Sequence, residues 1–195
     1  LHPVGYNKKL METMEVWDSQ LLEYGTHIIK ARANFLEELN LLVGGIHERL
    51  SGGKETLTVS YEPSVAAEFY EEKLKLSLER DVYQKATGYG PHRDDIVFFI
   101  GGENVKLFAS QGQQRTAALS LKLAEIELVK RKIGENPVLL LDDVLSELDR
   151  KRQRHLLDGI EGIQTVITCT GLEEFVGDRR RFNHICHVTE GTVTS

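Results

Sequence analysis

The chain has 195 residues, 41% of them hydrophobic and 28% charged, and a formal net charge of -6. That composition fits one or two globular domains and excludes a polycationic nucleic-acid binder, so any DNA contact has to come from a local cluster of Lys and Arg. Cys169 and Cys186 have no framework spacing and point to a reducing, cytoplasmic compartment; no apolar run approaches the ~20 residues of a membrane span; and the start at Leu1, without a signal pattern, is that expected of a fragment.

The chain divides by pattern into a mostly helical region, 1–86, and an α/β region, 87–195. From Glu12 to Leu50 the pattern is helical. Leu21, Ile28, Phe35 and Leu42 repeat with a seven-residue step beside Leu22, Ile29, Leu36, Val43 and Leu50, giving a broad apolar face. Gly44 and Gly45 stand where they could interrupt it. Leu57, Val59 and Tyr61 alternate with polar residues as a strand ended by Pro63. Val65 to Tyr83 is expected to be helical, with Phe69, Leu76 and Tyr83 on one side.

In the second region, Ile96 to Ile100, Gly101-Gly102 and Val105 to Phe108 read as a β-hairpin. A helix is expected from about Gln114 to Lys132. Val138 to Leu141 is a continuous apolar run of the kind buried on both faces of a parallel sheet. A helix from about Asp149 to Ile160, a strand Thr165 to Thr168 and a hairpin around Gly191 follow. Strands alternating with helices predict parallel α/β topology with crossover helices.

Asp142 and Asp143 end the buried strand, at the edge where open parallel sheets hold ligands. Two carboxylates there can hold hydrated Mg²⁺ and orient an attacking water, as in a Walker B motif; equally, two acids can simply open a loop. Ser110-Gln111-Gly112-Gln113-Gln114 precedes a helix. Ser110 can donate a hydroxyl, Gly112 admits a phosphate close to the backbone, and the helix N-terminus supplies free amides. The plain alternative is a Ser N-cap followed by a polar loop. No Gly-x-x-x-x-Gly-Lys followed by Ser or Thr occurs; Lys54 is followed by Glu55 and its preceding glycines have the wrong spacing.

The loop at Ser110, the helix, the strand, the acid pair and Ser146-Glu147-Leu148-Asp149 stand in the order signature motif, Walker B, D-loop, which resembles the ABC-type ATPase core. Ala109-Ser110-Gln111-Gly112-Gln113 departs from the transporters' Leu-Ser-Gly-Gly-Gln at its first and third positions. With Gly90-Pro91-His92-Arg93-Asp94-Asp95, Val16-Trp17-Asp18, Ile96 to Ile100 and Asp142 to Asp149, the chain resembles the RecF family of ABC/SMC-like ATPases over nearly its whole length. The resemblance implies the C-terminal part of an ABC-type P-loop ATPase head with a helical arm, lacking the upstream Walker A.

It further implies ATP and Mg²⁺ as cofactors of a full-length dimer, with Asp142 on the metal and Asp143 on the water. Ser110, Gln111, Gly112, Gln113, Gln114 and Asp149 would contact nucleotide. The implied parent is a slow ATPase, because Asp143 replaces the transporters' Glu and Thr168, Cys169 or Thr170 replaces their switch His. As an ATP-dependent homodimer it would act on single-stranded and gapped duplex DNA, with RecR and RecO, in repair, fork maintenance and SOS induction. The isolated chain is expected not to bind ATP. The alternative is the ATPase subunit of an ABC transporter.

Gly90 to Asp95 can report on nucleotide or DNA, or be a polar turn held by its own ion pairs. His184, Cys186 and His187 alternate along a predicted strand and lack further partners for a zinc site. Arg179 to Arg181, Arg150 to Arg154 and Lys130 to Lys132 are solvated runs or a DNA backbone patch. Trp17 reads as core or interface.

Overall fold

The computed structural model describes residues 8–170 and 182–194. The chain forms two compact units, 1–135 and 136–195, each described by itself.

The first unit is built on α1, Lys8–Ser51. The helix runs through Gly44 and Gly45 without a break. A Cβ on Gly44 would stand 3.4 Å from the Leu57 carbonyl oxygen, so the bare glycine lets the next strand pass close to the helix. One heptad stripe, Ile29, Leu36, Val43 and Leu50, is buried. The other, with Leu21, Ile28 and Phe35, is open, as are Val16 and Trp17, so Trp17 is not a core residue. The buried stripe packs against β1 (Leu57–Glu62) and against α4 (Gln111–Ile133), reached after two further strands and two helices.

After β1, Ala67–Phe69 form a single 3-10 turn that leads into α2, Tyr70–Gln84. The expected helix from Val65 therefore starts later. β2, Asp95–Ile100, pairs antiparallel with both β1 and β3, Glu103–Asn104, in the order β1-β2-β3. The predicted second hairpin strand is a different element: Val105–Phe108 form a helical turn, α3. Asn104 decides this, because its side chain accepts from the Lys106 amide and caps the turn. The helix expected from Gln114 begins at Gln111, one turn earlier.

In the second unit β4, Leu139–Asp142, lies parallel to β5, Thr165–Thr168, with α5, Arg150–Gly159, in the crossover between them. Parallel α/β topology is thus present as the sequence predicts. Burial on both faces of the strand is not. Leu139 and Leu141 are buried, whereas Leu140 and Val166 are open, because the described residues cover one face only. β6, His187–Thr189, and β7, Thr192–Thr194, make the terminal hairpin through Glu190 and Gly191.

Candidate functional site

The signature segment lies in the first unit and opens α4. Ser110 has extended backbone angles and caps the helix. Its Oγ accepts from the Gln113 amide at 3.3 Å, and the Gln113 side-chain oxygen accepts from the Ser110 amide at 2.8 Å. This is a capping box, which satisfies two terminal donors reciprocally. The N-cap proposed as the plain alternative is therefore what the geometry shows. It does not exhaust the residue: accepting a hydrogen bond uses a lone pair of Oγ and leaves its hydrogen to donate, and Ser110 is exposed. The first-turn amides of Gln111 and Gly112 have no intrahelical acceptor, and Gly112 carries no side chain to fend off an incoming anion. Gln114 turns back, donating to the Ala109 carbonyl at 3.2 Å. Thr116 donates to the Gly112 carbonyl at 2.7 Å, fixing the first turn.

Asp142, Asp143 and Asp149 lie in the second unit. Asp142 is the last residue of β4, and its carboxylate accepts from the Thr168 hydroxyl at the end of β5. Asp143 leaves the strand with φ of 52°, a left-handed conformation Asp tolerates better than most residues. Its amide donates to the Thr168 carbonyl at 3.0 Å, and its side chain accepts from Ser146 Oγ at 2.8 Å. Two exposed carboxylates thus stand at one strand end, each steered by a hydroxyl donor. Exposed oxygen donors with free lone pairs suit a hydrated Mg²⁺, which keeps several of its waters.

Asp149 caps α5. It accepts from the Arg152 amide at 2.9 Å and the Lys151 amide at 3.0 Å, and pairs with the Arg152 guanidinium at 2.7 Å. The Arg152 amide bond, then its charge and the Lys151 amide, hold the carboxyl below its usual range against some desolvation. Beside the acid pair, the Cys169 thiol is pushed up by burial and by the charge of Asp143, which keeps it protonated.

Gly90 to Asp95 is not held by its own ion pairs. Asp94, its side chain 2% exposed, pairs with Arg32 of α1 at 3.2 Å, accepts from the Tyr61 hydroxyl of β1, and accepts from the Ser64 amide at 2.9 Å. Arg32 also donates to the Pro91 carbonyl at 2.5 Å. The segment is a junction that binds the long helix to the three-stranded sheet. His184 and Cys186 precede β6 and do not alternate along it, and no group of three or more His, Cys, Asp or Glu placed to share a metal occurs among the described residues. Of the basic runs, Arg131 pairs with Glu127 and Lys132 with Glu38, while Arg152 serves Asp149. Arg179, Arg180 and Arg181 lie outside the described residues. No sequence pattern singles out Glu55, which accepts from Gln113, or His47, which holds Glu55 from the long helix; in the sequence Glu55 stands only as a mismatch to a phosphate loop.

No protein-family model matches the chain. It is 57% identical over 193 residues to the DNA replication and repair protein RecF of Lachnoclostridium phytofermentans, covering 99% of this chain and 54% of that protein. It is 52% identical over 189 residues to RecF of Lachnospira eligens, covering 97% and 52%. The fold matches a solved structure described as the recombination mediator protein RecF-ATP in the RecFOR pathway, with a TM-score of 0.76 and 35% identity over 98% of this chain and 52% of that one. The chain spans about half the length of the relatives it matches. By its motifs, its fold and these likenesses, it belongs to the RecF family of DNA replication and repair proteins.

Proposed function

We propose that this chain is the signature and Walker B part of a RecF-type ATPase whose full-length form dimerises on ATP and binds DNA at single-stranded gaps. The observation that carries this is a pair of exposed, preorganised half-sites. One is a capped helix start with a spare hydroxyl at Ser110; the other is the acid pair Asp142-Asp143 at a parallel strand end, each acid steered by a hydroxyl. The solved relative described as RecF-ATP supports nucleotide as the ligand, and its RecFOR context supports RecO and RecR as partners. The names of the relatives favour this over a transporter subunit.

In the proposed dimer Ser110 donates its hydroxyl to the γ-phosphate bound by the opposite subunit, and the Gln111 and Gly112 amides face the same anion. Asp142 would hold Mg²⁺, which would supply charge neutralisation to the phosphates, and Asp143 would orient water. Asp149 stays with α5 and steadies the loop between the acid pair and that helix. With Asp rather than Glu at 143, the water is held by a shorter side chain and turnover is slow. Without a phosphate loop the 195-residue chain takes up no ATP by itself. Action at fork maintenance, SOS induction and a cytoplasmic location belong to the same reading.

A gel shift of the full-length protein on gapped duplex DNA tests it. A shift that needs ATP and survives as a dimer agrees. Binding of equal strength with and without ATP counts against the nucleotide switch.

A further inference from the structure

We infer that Glu55 and His47 are positioning residues for the signature segment, tying the long helix α1 to the turn on which Ser110 presents its hydroxyl. The inference rests on the nucleotide role proposed above for Ser110, Gln111 and Gly112.

The link is a continuous run of hydrogen bonds. His47, fully buried near the end of α1, has Nδ1 2.9 Å from Ser120 Oγ on α4. Its Nε2 lies 3.2 Å from Glu55 Oε2; an ionised carboxylate only accepts, so Nε2 carries a proton and donates it there. The other oxygen of Glu55 accepts from Gln113 Nε2 at 3.0 Å. Gln113 then uses its remaining amide atom, Oε1, to accept from the Ser110 amide.

A capping box closes on itself and needs no outside partner. Here it has one. The Gln113 side chain is engaged at both ends, its oxygen on Ser110 and its nitrogen on a carboxylate that is 20% exposed and held from behind by a buried imidazole. A charge-assisted bond of this kind is stronger than a neutral one and fixes the Gln113 amide in one orientation. A displacement of α1 relative to α4 is therefore felt first at His47 and Glu55, and through Gln113 at the backbone of Ser110. Glu55 touches no nucleotide in this scheme. It acts through Gln113, and its loss leaves the box formed but free to turn.

The test uses the full-length protein and four forms: wild type, Glu55→Ala, Glu55→Gln and Leu57→Ala. Leu57 is buried on the adjoining strand and serves as a stability control. ATP-driven dimerisation is followed by sedimentation below the melting temperature of every form, with ATP affinity of the dilute monomer measured beside it. Glu55→Ala should raise the ATP concentration for half-maximal dimerisation about tenfold, the loss expected for a hydrogen bond to a charged group. Monomer affinity should not change. Glu55→Gln should recover most of the loss, because its amide oxygen still accepts from Gln113 and its amide nitrogen can donate to His47 Nε2 when the ring proton sits on Nδ1, toward Ser120 Oγ. Leu57→Ala should lower the melting temperature without moving the dimerisation midpoint. If Glu55→Ala dimerises like wild type, shifts no more than Leu57→Ala, or is not rescued by Gln, the inference is overturned alone. If wild type itself does not dimerise with ATP, the proposed nucleotide role fails and takes the inference with it.

Discussion

Asp143 combines an uncommon backbone conformation with an exposed carboxylate, and both bear on what a substitution there can reveal. Its φ of 52° would strain most side chains, but Asn tolerates this region as well as Asp does. Asp143→Asn should therefore fold normally and can still accept from Ser146. In the full-length protein it should keep ATP binding and lose turnover on the order of a hundredfold, the scale of a lost catalytic base. Hydrolysis at the wild-type rate would remove Asp143 from the mechanism. Tyr61 offers a second check at this scale. Burial first, then the hydrogen bond and charge of Asp94, push its phenol up to about 12 against the opposing Arg32. A raised folded pKa stabilises the fold fully below the unfolded value of ~10, and that contribution is lost as pH rises through the folded value. Absorbance titration should show a late tyrosinate phase near pH 12 that Tyr61→Phe removes; a phase unchanged by the substitution would contradict the contact with Asp94.

At the scale of elements, the long helix carries glycines of opposite meaning. Gly25 faces Tyr70, which is 1% exposed, and a Cβ there would stand 2.5 Å from the ring. Gly45 has nothing nearer to such an atom than Arg49 at 4.0 Å. Gly25→Ala should cost about 1–3 kcal/mol through overpacking, whereas Gly45→Ala should be neutral or gain up to about 1 kcal/mol in helix propensity. Urea midpoints of the two variants decide it; equal midpoints would mean that Tyr70 moves aside freely. The elements also show where sequence pattern has force. The seven-residue repeat of α1 and the alternation of β1 are long enough to be read directly. Val105 to Phe108 is not, because four residues without a period take their state from the Asn104 cap. The start of α4 lies earlier than its pattern suggests for a similar reason: the Gly and Gln residues after Ser110 look like loop, and only the reciprocal bonds of Ser110 and Gln113 reveal a helix.

At the scale of the molecule, the Ser110 segment and the acid pair are each legible as a motif, and their supports are not. Asp142 and Asp143 follow from a buried strand ending in acids. Thr168, which donates to Asp142, comes from a strand 26 residues later. Gln113 meets Glu55 across 58 residues, and no local pattern encodes such a pairing. The apolar run at β4 implied cover on both faces, yet Leu140 and Val166 are open in a chain that matches about half the length of its relatives. Those relatives fix the family and leave the nucleotide role of Ser110 as the central claim. Two physical accounts of this residue make different predictions. As a cap alone, its replacement costs about 1 kcal/mol of stability and nothing specific to association. As a donor to the opposite subunit's phosphate, it acts only when two subunits meet. The direct measurement is sedimentation of full-length Ser110→Arg with saturating ATP, beside equilibrium ATP binding by the monomer. The account predicts unchanged ATP binding and no ATP-induced dimer; a variant that still dimerises with ATP would contradict it.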